Sequence, residues 1–169
     1  MIRVGIIGVT GYAGAELVRI LAGHPSVCIV HAMSKSYAGQ PLSALYPSLR
    51  RAKDFVCEEV DPELLKADCD VVFTALPHGA SAAIVAELMT APNMKVIDLS
   101  ADFRYREKAI YQEWYGLEHC APELLPQAVY GLCELYRDEI RQARLIGNPG
   151  CYTTCSILGA APLMKQGLI

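Results

Sequence analysis

The feature that most constrains the fold of this sequence is a regular alternation of short apolar runs with helix-like segments. The apolar runs are continuous and rich in Val and Ile, as strands buried on both faces of a sheet are, and they cover residues 3–7, 27–33, 71–75, 95–99 and 144–147. Segments 12–22, 79–89 and 135–143 place apolar or small residues at helical spacing. Because strands that alternate with helices are typical of parallel sheets, the sequence predicts an α/β fold with a doubly wound, mainly parallel sheet.

Glycine and proline interrupt this periodicity in two stretches of the chain, residues 35–53 and 111–127. Neither stretch keeps a helical or a strand period over more than a few residues. We therefore expect both to be weakly structured.

Composition and charge exclude several classes of partner. The 169 residues are 53% hydrophobic and 20% charged, which is typical of a chain that folds around a core, and the net charge is −3. The charges are scattered, so no basic surface for nucleic acid or anionic lipid is predicted. No apolar stretch reaches the roughly 18 residues that a membrane span needs, and the N-terminus lacks the features of a signal peptide. We expect a cytoplasmic protein without nucleic-acid or membrane partners.

The seven cysteines do not form a recognisable framework. Their number is odd and no Cys-x-x-Cys pair is present, which argues against a set of disulfides or a zinc ribbon. We expect most of them to be buried small apolar residues, and we expect no metal site.

Polar and glycine-rich residues directly follow the predicted strands. They are Gly8, residues 34–36, 77–79, 100–102 and 148–151. Parallel strands all end on one side of a sheet, so these segments are expected to converge at its carboxyl edge. Open α/β sheets bind their ligands at that edge.

The first of these segments reads GVTGYAG and has the context of a dinucleotide-binding turn. It follows a strand and opens a helix, so the helix N-terminus can face a pyrophosphate. The spacing is G-x-x-G-x-x-G rather than G-x-G-x-x-G, and a purely structural turn remains the alternative. The candidate cofactor-binding residues here are Gly8, Thr10, Gly11, Tyr12, Ala13 and Gly14.

The residues after the second strand indicate which dinucleotide would bind. NAD-binding sheets place an acidic residue there for the ribose 2′-hydroxyl, but no Asp or Glu occurs from Leu17 through Lys53. The position instead reads Ser34, Lys35 and Ser36, two of which, Ser34 and Lys35, we assign to a 2′-phosphate. The pattern favours NADP(H), and the alternative is a solvated loop in which Lys35 has no partner.

The last segment, NPGCYTT, places Cys151 at the predicted start of a helix. The helix dipole and the free amides of a first turn favour a thiolate, so Cys151 is the candidate nucleophile. Thr153 and Thr154 add hydroxyls near the sulfur. A buried structural cysteine is the alternative, and Cys155 is expected to be one; a metal site from the two cysteines lacks suitable partners.

Four separated motifs, GVTGYAGAELVR, TALPHGAS, VIDLSADFR and GNPGCYTT, resemble those of the N-acetyl-γ-glutamyl-phosphate reductase family, to which aspartate-semialdehyde dehydrogenases are more distantly related. The resemblance implies a Rossmann-type NADP-binding domain over residues 1–150 and Cys151 as the catalytic nucleophile. It further implies a nicotinamide side lined by Leu76, Pro77 and His78, and it places Arg104, Asn148 and Ser100 at the substrate. For Arg104, an ion pair with Asp102 or Glu107 remains an alternative to phosphate binding.

The chemistry that the resemblance implies is a two-step reduction. Cys151 would displace phosphate from the acyl-phosphate substrate N-acetyl-L-glutamyl 5-phosphate, and NADPH would reduce the resulting thioester to the semialdehyde, in arginine biosynthesis. The alternatives are a non-catalytic NADP-binding domain and a related phosphorylating aldehyde dehydrogenase with another substrate.

Length is where this sequence departs from the family. The resemblance implies members about twice as long, homo-oligomeric, with a second α+β domain that supplies a catalytic histidine. Residues 151–169 would then be the catalytic-cysteine helix at the start of a largely missing second domain. The four histidines of this chain do not replace that group convincingly. We therefore expect either a fragment or a remainder supplied by another chain, and we expect the 169 residues alone to be inactive.

Overall fold

Within residues 1–51 and 54–169, which the computed structural model describes, six strands form one parallel sheet. The strands are β1 (Ile2–Ile7), β2 (Val27–Met33), β3 (Val71–Thr74), β4 (Lys95–Asp98), β5 (Ala128–Tyr130) and β6 (Leu145–Gly147). Their spatial order is β2-β1-β3-β4-β6-β5, with every pair parallel. The predicted α/β class and parallel sheet are confirmed.

In the described residues, α helices lie between successive strands and a last one follows β6. They are α1 (Tyr12–Leu21), α2 (Pro62–Asp68), α3 (Ala82–Leu88), α4 (Lys108–Tyr115), α5 (Cys133–Gln142) and α6 (Cys151–Lys165). No helix in the described residues is both long and apolar enough to cross a membrane.

Two buried clusters account for the packing of the sheet. Val4 and Ile6 of β1 pack with Val18 of α1 in one cluster, whereas Ile7 lies in the other with Val85 of α3. Successive side chains of a strand point to opposite faces, so the clusters lie on the two sides of the sheet. The continuous apolar runs in the sequence follow from this double burial.

The sheet has a switch point between β1 and β3, because the chain runs from β1 outward to β2 and then returns to the other side of β1. Ligands of open α/β sheets bind in the crevice beyond the carboxyl ends of the strands at such a point. The turns after β1 and β3 flank this crevice.

The prediction that residues 35–53 are weakly structured is wrong for the part that the structure describes; residues 52 and 53 lie outside it. Leu42–Ala44 and Pro47–Arg51 are short 3₁₀ helices, and Leu42 and Leu49 are buried in the α1 side of the core. A 3₁₀ turn is too short to show a period in sequence, which is why the pattern missed it.

The prediction for residues 111–127 is wrong in a similar way. Helix α4 extends to Tyr115 and ends at Gly116, whose φ of 64° is the left-handed cap that glycine favours. Pro122–Gln127 form a 3₁₀ helix that leads into β5. Strand β5 was missed because it has three residues and follows two prolines.

Candidate functional site

The turn after β1 depends on two glycines. Gly8 has a φ of +86°, and a Cβ on it would overlap the carbonyl oxygen of Ala75 in the next turn. Gly14 lies so close to this turn that its Cβ would overlap the carbonyl oxygen of Gly8. Gly11 precedes α1 with extended backbone and has room for a side chain. The turn is therefore packed tightly against α1 and the end of β3.

An open cavity of about 440 Å³ lies at the carboxyl ends of β1, β2 and β3. Its lining includes the predicted cofactor residues Gly8, Thr10, Gly11, Tyr12, Ala13, Ser34, Lys35, Leu76 and Pro77. Gly14 and His78, which were also predicted to bind the cofactor, are not in the lining. Gly14 acts instead through the close approach of α1 to the turn.

This cavity fits a dinucleotide. The packed glycine turn leaves backbone where a Cβ would otherwise fill the space, and the first amides of α1 begin at its edge. Among the described residues that line it there is no Asp or Glu, so no carboxylate faces a phosphate. Gly8 to Ala13 are the residues that would hold a pyrophosphate.

The structure separates the roles of Ser34 and Lys35. Ser34 is buried, and its hydroxyl lies 2.9 Å from the hydroxyl of Thr10, so this side chain joins the ends of β1 and β2. Lys35 and Ser36 are exposed at the mouth of the cavity. The ammonium of Lys35 and the hydroxyl of Ser36 therefore remain available to a ligand phosphate, and of the two only Lys35 carries a charge.

Sequence reasoning missed an acidic residue that pairs with β2 from a distant part of the chain. Glu58 forms an isolated parallel bridge with Met33, and its carboxylate oxygen lies 2.6 Å from Nδ1 of His31. Glu58 does not line the cavity. Glu58 lies 24 residues beyond Ser34 in the chain, so no local sequence pattern could predict this contact.

His78 lies at the sheet edge, outside the lining of the cofactor cavity. Its Nδ1 accepts a hydrogen bond of 3.0 Å from the backbone amide of Ala101, and its ring meets Tyr115 edge-on at 5.3 Å. A backbone amide can only donate, so Nδ1 is the acceptor in this contact.

Cys151 is the first residue of α6, as predicted, and it is exposed. It lines a second cavity of about 480 Å³ at the carboxyl ends of β4, β5 and β6. Thr153 donates a hydrogen bond of 2.9 Å to the carbonyl oxygen of Gly150 and lies 3.4 Å from the hydroxyl of Tyr130. The hydroxyl-bearing residues Thr153 and Tyr130 therefore line the same cavity as the thiol.

Arg104 brings a cation to the same cavity. Its Nε donates to the carbonyl oxygen of Asn148 at 2.8 Å, and its Nη2 donates to that of Leu99 at 3.0 Å. A Cβ built on Gly150 would lie 3.2 Å from Nη1, so the guanidinium is held directly beside the residue before Cys151. Arg104 forms no ion pair with Asp102 or Glu107, both of which the structure describes.

The other two predicted substrate residues are placed differently. Asn148 lies at the end of β6, and its carbonyl oxygen holds Arg104. Ser100 is buried, donates to the Asp98 carboxylate at 2.6 Å and accepts from the Asp102 amide at 3.0 Å. Neither side chain is part of the lining of the Cys151 cavity, so both support the site through the backbone turns.

Four tyrosines that sequence reasoning did not single out line the Cys151 cavity: Tyr105, Tyr115, Tyr130 and Tyr152. Burial, followed by repulsion from neighbouring tyrosines, raises the pKa of Tyr105, so its phenol stays protonated and can donate. Tyr105 directly follows the motif VIDLSADFR and Tyr152 lies within GNPGCYTT, which was an available signal. Tyr115 and Tyr130 lie in segments whose structure was not predicted.

The expectation that most cysteines are buried is wrong. Cys57 and Cys69 are buried, whereas Cys120, Cys133, Cys151 and Cys155 are exposed. Cys155 was expected to be buried, but the structure buries no residue of α6. In the described residues, no group of three or more His, Cys, Asp or Glu could hold a metal ion.

The histidines are engaged away from Cys151. His31 lies between the carboxylates of Glu58 and Asp68, and His24 accepts from the Ser26 amide. His119 is buried, donates from Nε2 to the Asp102 carbonyl and accepts at Nδ1 from the Ala121 amide. Within the described part of the chain, the lining of the Cys151 cavity contains no histidine.

Comparison with known proteins agrees with this geometry. The chain is 54% identical over 168 residues to the N-acetyl-gamma-glutamyl-phosphate reductase of Symbiobacterium thermophilum, which covers 99% of this chain and 48% of the relative. The protein of that name from Desulforudis audaxviator is 52% identical and covers 100% of this chain and 49% of the relative. The chain thus spans about half the length of the curated relatives it matches.

Solved structures show the same fold at low sequence identity. The aspartate semialdehyde dehydrogenase of Candida albicans, solved with NADP, has a TM-score of 0.67 at 18% identity and covers 98% of this chain and 47% of its own. That of Francisella tularensis has a TM-score of 0.62 at 15% identity, covering 99% and 42%. A family profile described as semialdehyde dehydrogenase, NAD binding domain, matches residues 3–143. Since that match covers most of the chain, this protein belongs to the semialdehyde dehydrogenase NAD-binding domain family.

Proposed function

We propose that this chain is the NADP-binding and nucleophile-bearing part of a reductase that converts N-acetyl-L-glutamyl 5-phosphate to N-acetyl-L-glutamate 5-semialdehyde, in arginine biosynthesis. The observation that carries the proposal is the position of Arg104 beside Gly150, where a guanidinium meets the N-terminus of the helix that begins with Cys151. An exposed thiol with a fixed cation and free amides is suited to an acyl phosphate. The name shared by the curated relatives supports this substrate.

The first step uses groups of this chain. The Cys151 sulfur attacks the acyl carbon, a C–S bond forms, and the C–O bond to phosphate breaks with its electron pair leaving on inorganic phosphate. Arg104 stabilises the departing phosphate, since its fork matches phosphate oxygens and two carbonyls fix its orientation. The first amides of α6, which have no side-chain cap, would be donors for the oxyanion that develops beside Cys151.

NADPH, when bound, supplies the hydride that reduces the thioester and allows the aldehyde to leave. Toward this cofactor, Gly8 to Ala13 bind the pyrophosphate and Lys35 the 2′-phosphate. We assign Leu76, Pro77 and His78 to the nicotinamide side; Leu76 and Pro77 line the cavity, and His78, outside its lining, is held by the Ala101 amide. We assign residues 1–150 to the cofactor domain and 151–169 to the helix that starts the second.

We further propose a cytoplasmic, homo-oligomeric enzyme in its full length. Helix α6 supports this proposal because none of its residues is buried in this chain. The exposed residues around its C-terminal end include the apolar Leu163, Met164 and Leu168. Exposed apolar patches of this kind usually contact another surface. We assign the catalytic base to the second domain, because the four histidines of this chain form hydrogen bonds away from Cys151.

Binding and turnover measured separately test the proposal. The 169-residue chain should bind NADP(H) but show no phosphate-dependent oxidation of N-acetylglutamate semialdehyde, whereas the complete coding sequence should show both. In the complete protein, Cys151→Ser should abolish turnover with NADP affinity nearly unchanged.

Two results would favour the alternatives. NADP binding without any activity of the complete protein, and without selective labelling of Cys151, would indicate a non-catalytic domain. Turnover of another acyl phosphate in preference to N-acetylglutamyl phosphate would indicate a related dehydrogenase.

A further inference from the structure

A buried carboxylate joins two turns that the proposed function uses separately. Asp102 follows β4, in the turn that carries Arg104, and has no exposed surface. Its two oxygens accept hydrogen bonds from the backbone amides of Gly79 and Ser81 in the turn after β3, at 2.8 and 3.2 Å, and from that of Ala82, the first residue of α3, at 3.0 Å. The hydroxyl of Tyr111 donates a fourth bond at 3.0 Å. The carboxylate thus binds one turn to the other through the backbone.

A second contact between the same turns runs through the neighbouring residue. The amide of Ala101 donates to Nδ1 of His78, and the carbonyl of Ala101 accepts from the amide of Arg104 at 3.2 Å. His78 and Arg104 are therefore both held by backbone groups of one residue. This residue directly precedes Asp102.

Each turn leads to a different cavity. The turn after β3 begins with Ala75, Leu76 and Pro77, which line the cofactor cavity. The turn after β4 continues to Arg104, which lines the cavity of Cys151. The hydrogen bonds of Asp102 therefore set the position of one cavity wall relative to the other.

We propose that Asp102 is a positioning residue that fixes the nicotinamide side of the cofactor cavity to the phosphate-binding Arg104. The inference rests on the proposed function, because it assigns these two cavities to cofactor and acyl phosphate. Acyl transfer and hydride transfer occur at the same carbon, so the cofactor and the acyl phosphate must be held at a fixed relative position. A misplacement of about 1 Å can lower the rate by about a hundredfold.

Asp102→Asn tests this role because it keeps the size of the side chain and removes acceptor capacity. One carboxylate oxygen becomes an NH₂ group, which faces backbone amides that can only donate. At least one of the bonds to residues 79–82 is then lost. Tyr111→Phe is the matched control, since it removes the fourth donor and leaves the three backbone bonds intact.

Two measurements on the 169-residue chain read the two cavities independently of turnover. NADP affinity reports on binding in the cofactor cavity. Protection of Cys151 from iodoacetamide by inorganic phosphate reports on binding beside Arg104. Asp102→Asn should weaken both by about tenfold, because loss of a bond between the two turns lets the walls of both cavities move from their ligand-binding positions. Tyr111→Phe should change neither by more than about twofold.

Three further variants separate positioning from general destabilisation. Lys35→Gln should weaken NADP binding alone, and Arg104→Gln should weaken phosphate protection alone. Leu88→Ala removes a buried side chain from α3, outside both turns, and should lower stability with both readouts unchanged in the folded protein.

Amide hydrogen exchange in the unaltered chain tests the proposal without relying on a variant that must fold. The amides of Gly79, Ser81 and Ala82 should exchange more slowly when NADP is bound and, separately, when phosphate is bound. Slowing by only one of the two ligands, or an Asp102→Asn protein that matches Leu88→Ala in both binding readouts, would overturn the positioning role. An unaltered chain that fails to bind NADP would instead overturn the proposed function.

Discussion

The hydroxyls of Thr10 and Ser34 lie 2.9 Å apart, and this contact joins the glycine turn after β1 to the end of β2. Tyr46 adds a second tie, since its hydroxyl donates to the carbonyl oxygen of Thr10 at 3.0 Å. Ser34 is 3% exposed, so a carboxylate introduced there would be buried against a hydroxyl as well as repel a 2′-phosphate. Lys35 is therefore the cleaner position at which to test cofactor selection.

Lys35→Gln should weaken NADP binding by about five- to tenfold and leave NAD binding unchanged, because NAD lacks the phosphate that the exposed ammonium would contact. Titration of both nucleotides against each variant measures the ratio. Lys66→Gln removes a lysine from α2, outside the cofactor cavity, and should leave both affinities unaltered. Equal loss of NAD affinity in Lys35→Gln would contradict the assignment, as would tighter binding of NAD than NADP by the unaltered chain.

Gly8→Ala should abolish measurable NADP binding and destabilise the fold. Alanine is strained at a φ of +86°, and its methyl group would overlap the Ala75 carbonyl, so the turn must move away from β3. Gly23→Ala is the control, because no atom lies within 4 Å of a Cβ at that position and its φ is not positive. Denaturant unfolding and nucleotide titration read the two effects. A Gly8→Ala protein with unaltered affinity would show that the turn does not hold the cofactor.

Cys151 should be alkylated by iodoacetamide faster than the other six thiols near neutral pH. It combines exposure with the first position of a long helix and a neighbouring guanidinium. Cys57 and Cys69 should react last, since burial raises the pKa of each thiol. The informative competitors are the exposed Cys120, Cys133 and Cys155, and mass-spectrometric mapping that found one of them labelled first would count against the nucleophile.

The sequence predicted the parts of the fold that have a long period or a distinctive turn. Both ends of strand β2 were predicted correctly, and the predicted end of α1 differs by one residue, because both elements have unbroken apolar patterns. The carboxyl-edge turns followed from the strands, since parallel strands end together. Strand β5 and the 3₁₀ segments were missed because they owe their structure to contacts with distant residues, such as the bond from Ser43 to Asp54.

The candidate site was predicted in its motifs but not in its contacts. The glycine turn and Cys151 carry local signals, whereas the burial of Ser34 and Ser100 depends on partners elsewhere in the chain. Tyr130 reaches the cavity only because β5 pairs with β6, which no local pattern indicates. The periodicity of apolar residues predicts burial only within strands and helices, so it could not predict the positions of residues in turns.

Stability should fall as pH rises above about 9, and Cys69 is a principal cause. Burial, followed by repulsion from Asp68, raises the pKa of its thiol from 9.0 to about 12, so the folded chain keeps a proton that the unfolded chain releases. Between these values the folded state binds more protons, and the free energy of unfolding decreases with pH by at most about 1.4 kcal/mol per unit. Below pH 9 both states are protonated and this contribution is constant.

Cys69→Ala provides the test of that slope. The variant loses packing against Leu65 and should be less stable at pH 7, yet its stability should fall less steeply between pH 9 and 12. Tyr111, whose pKa burial also raises, adds a second decrease above pH 10 that the variant retains. Leu88→Ala is the matched control, since it removes packing from the same buried cluster without removing a titratable group, and its stability curve should run parallel to that of the unaltered chain. Urea unfolding at intervals of pH measures the curves, and identical slopes for Cys69→Ala and Leu88→Ala would show that the Cys69 thiol ionises at the same pH in both states.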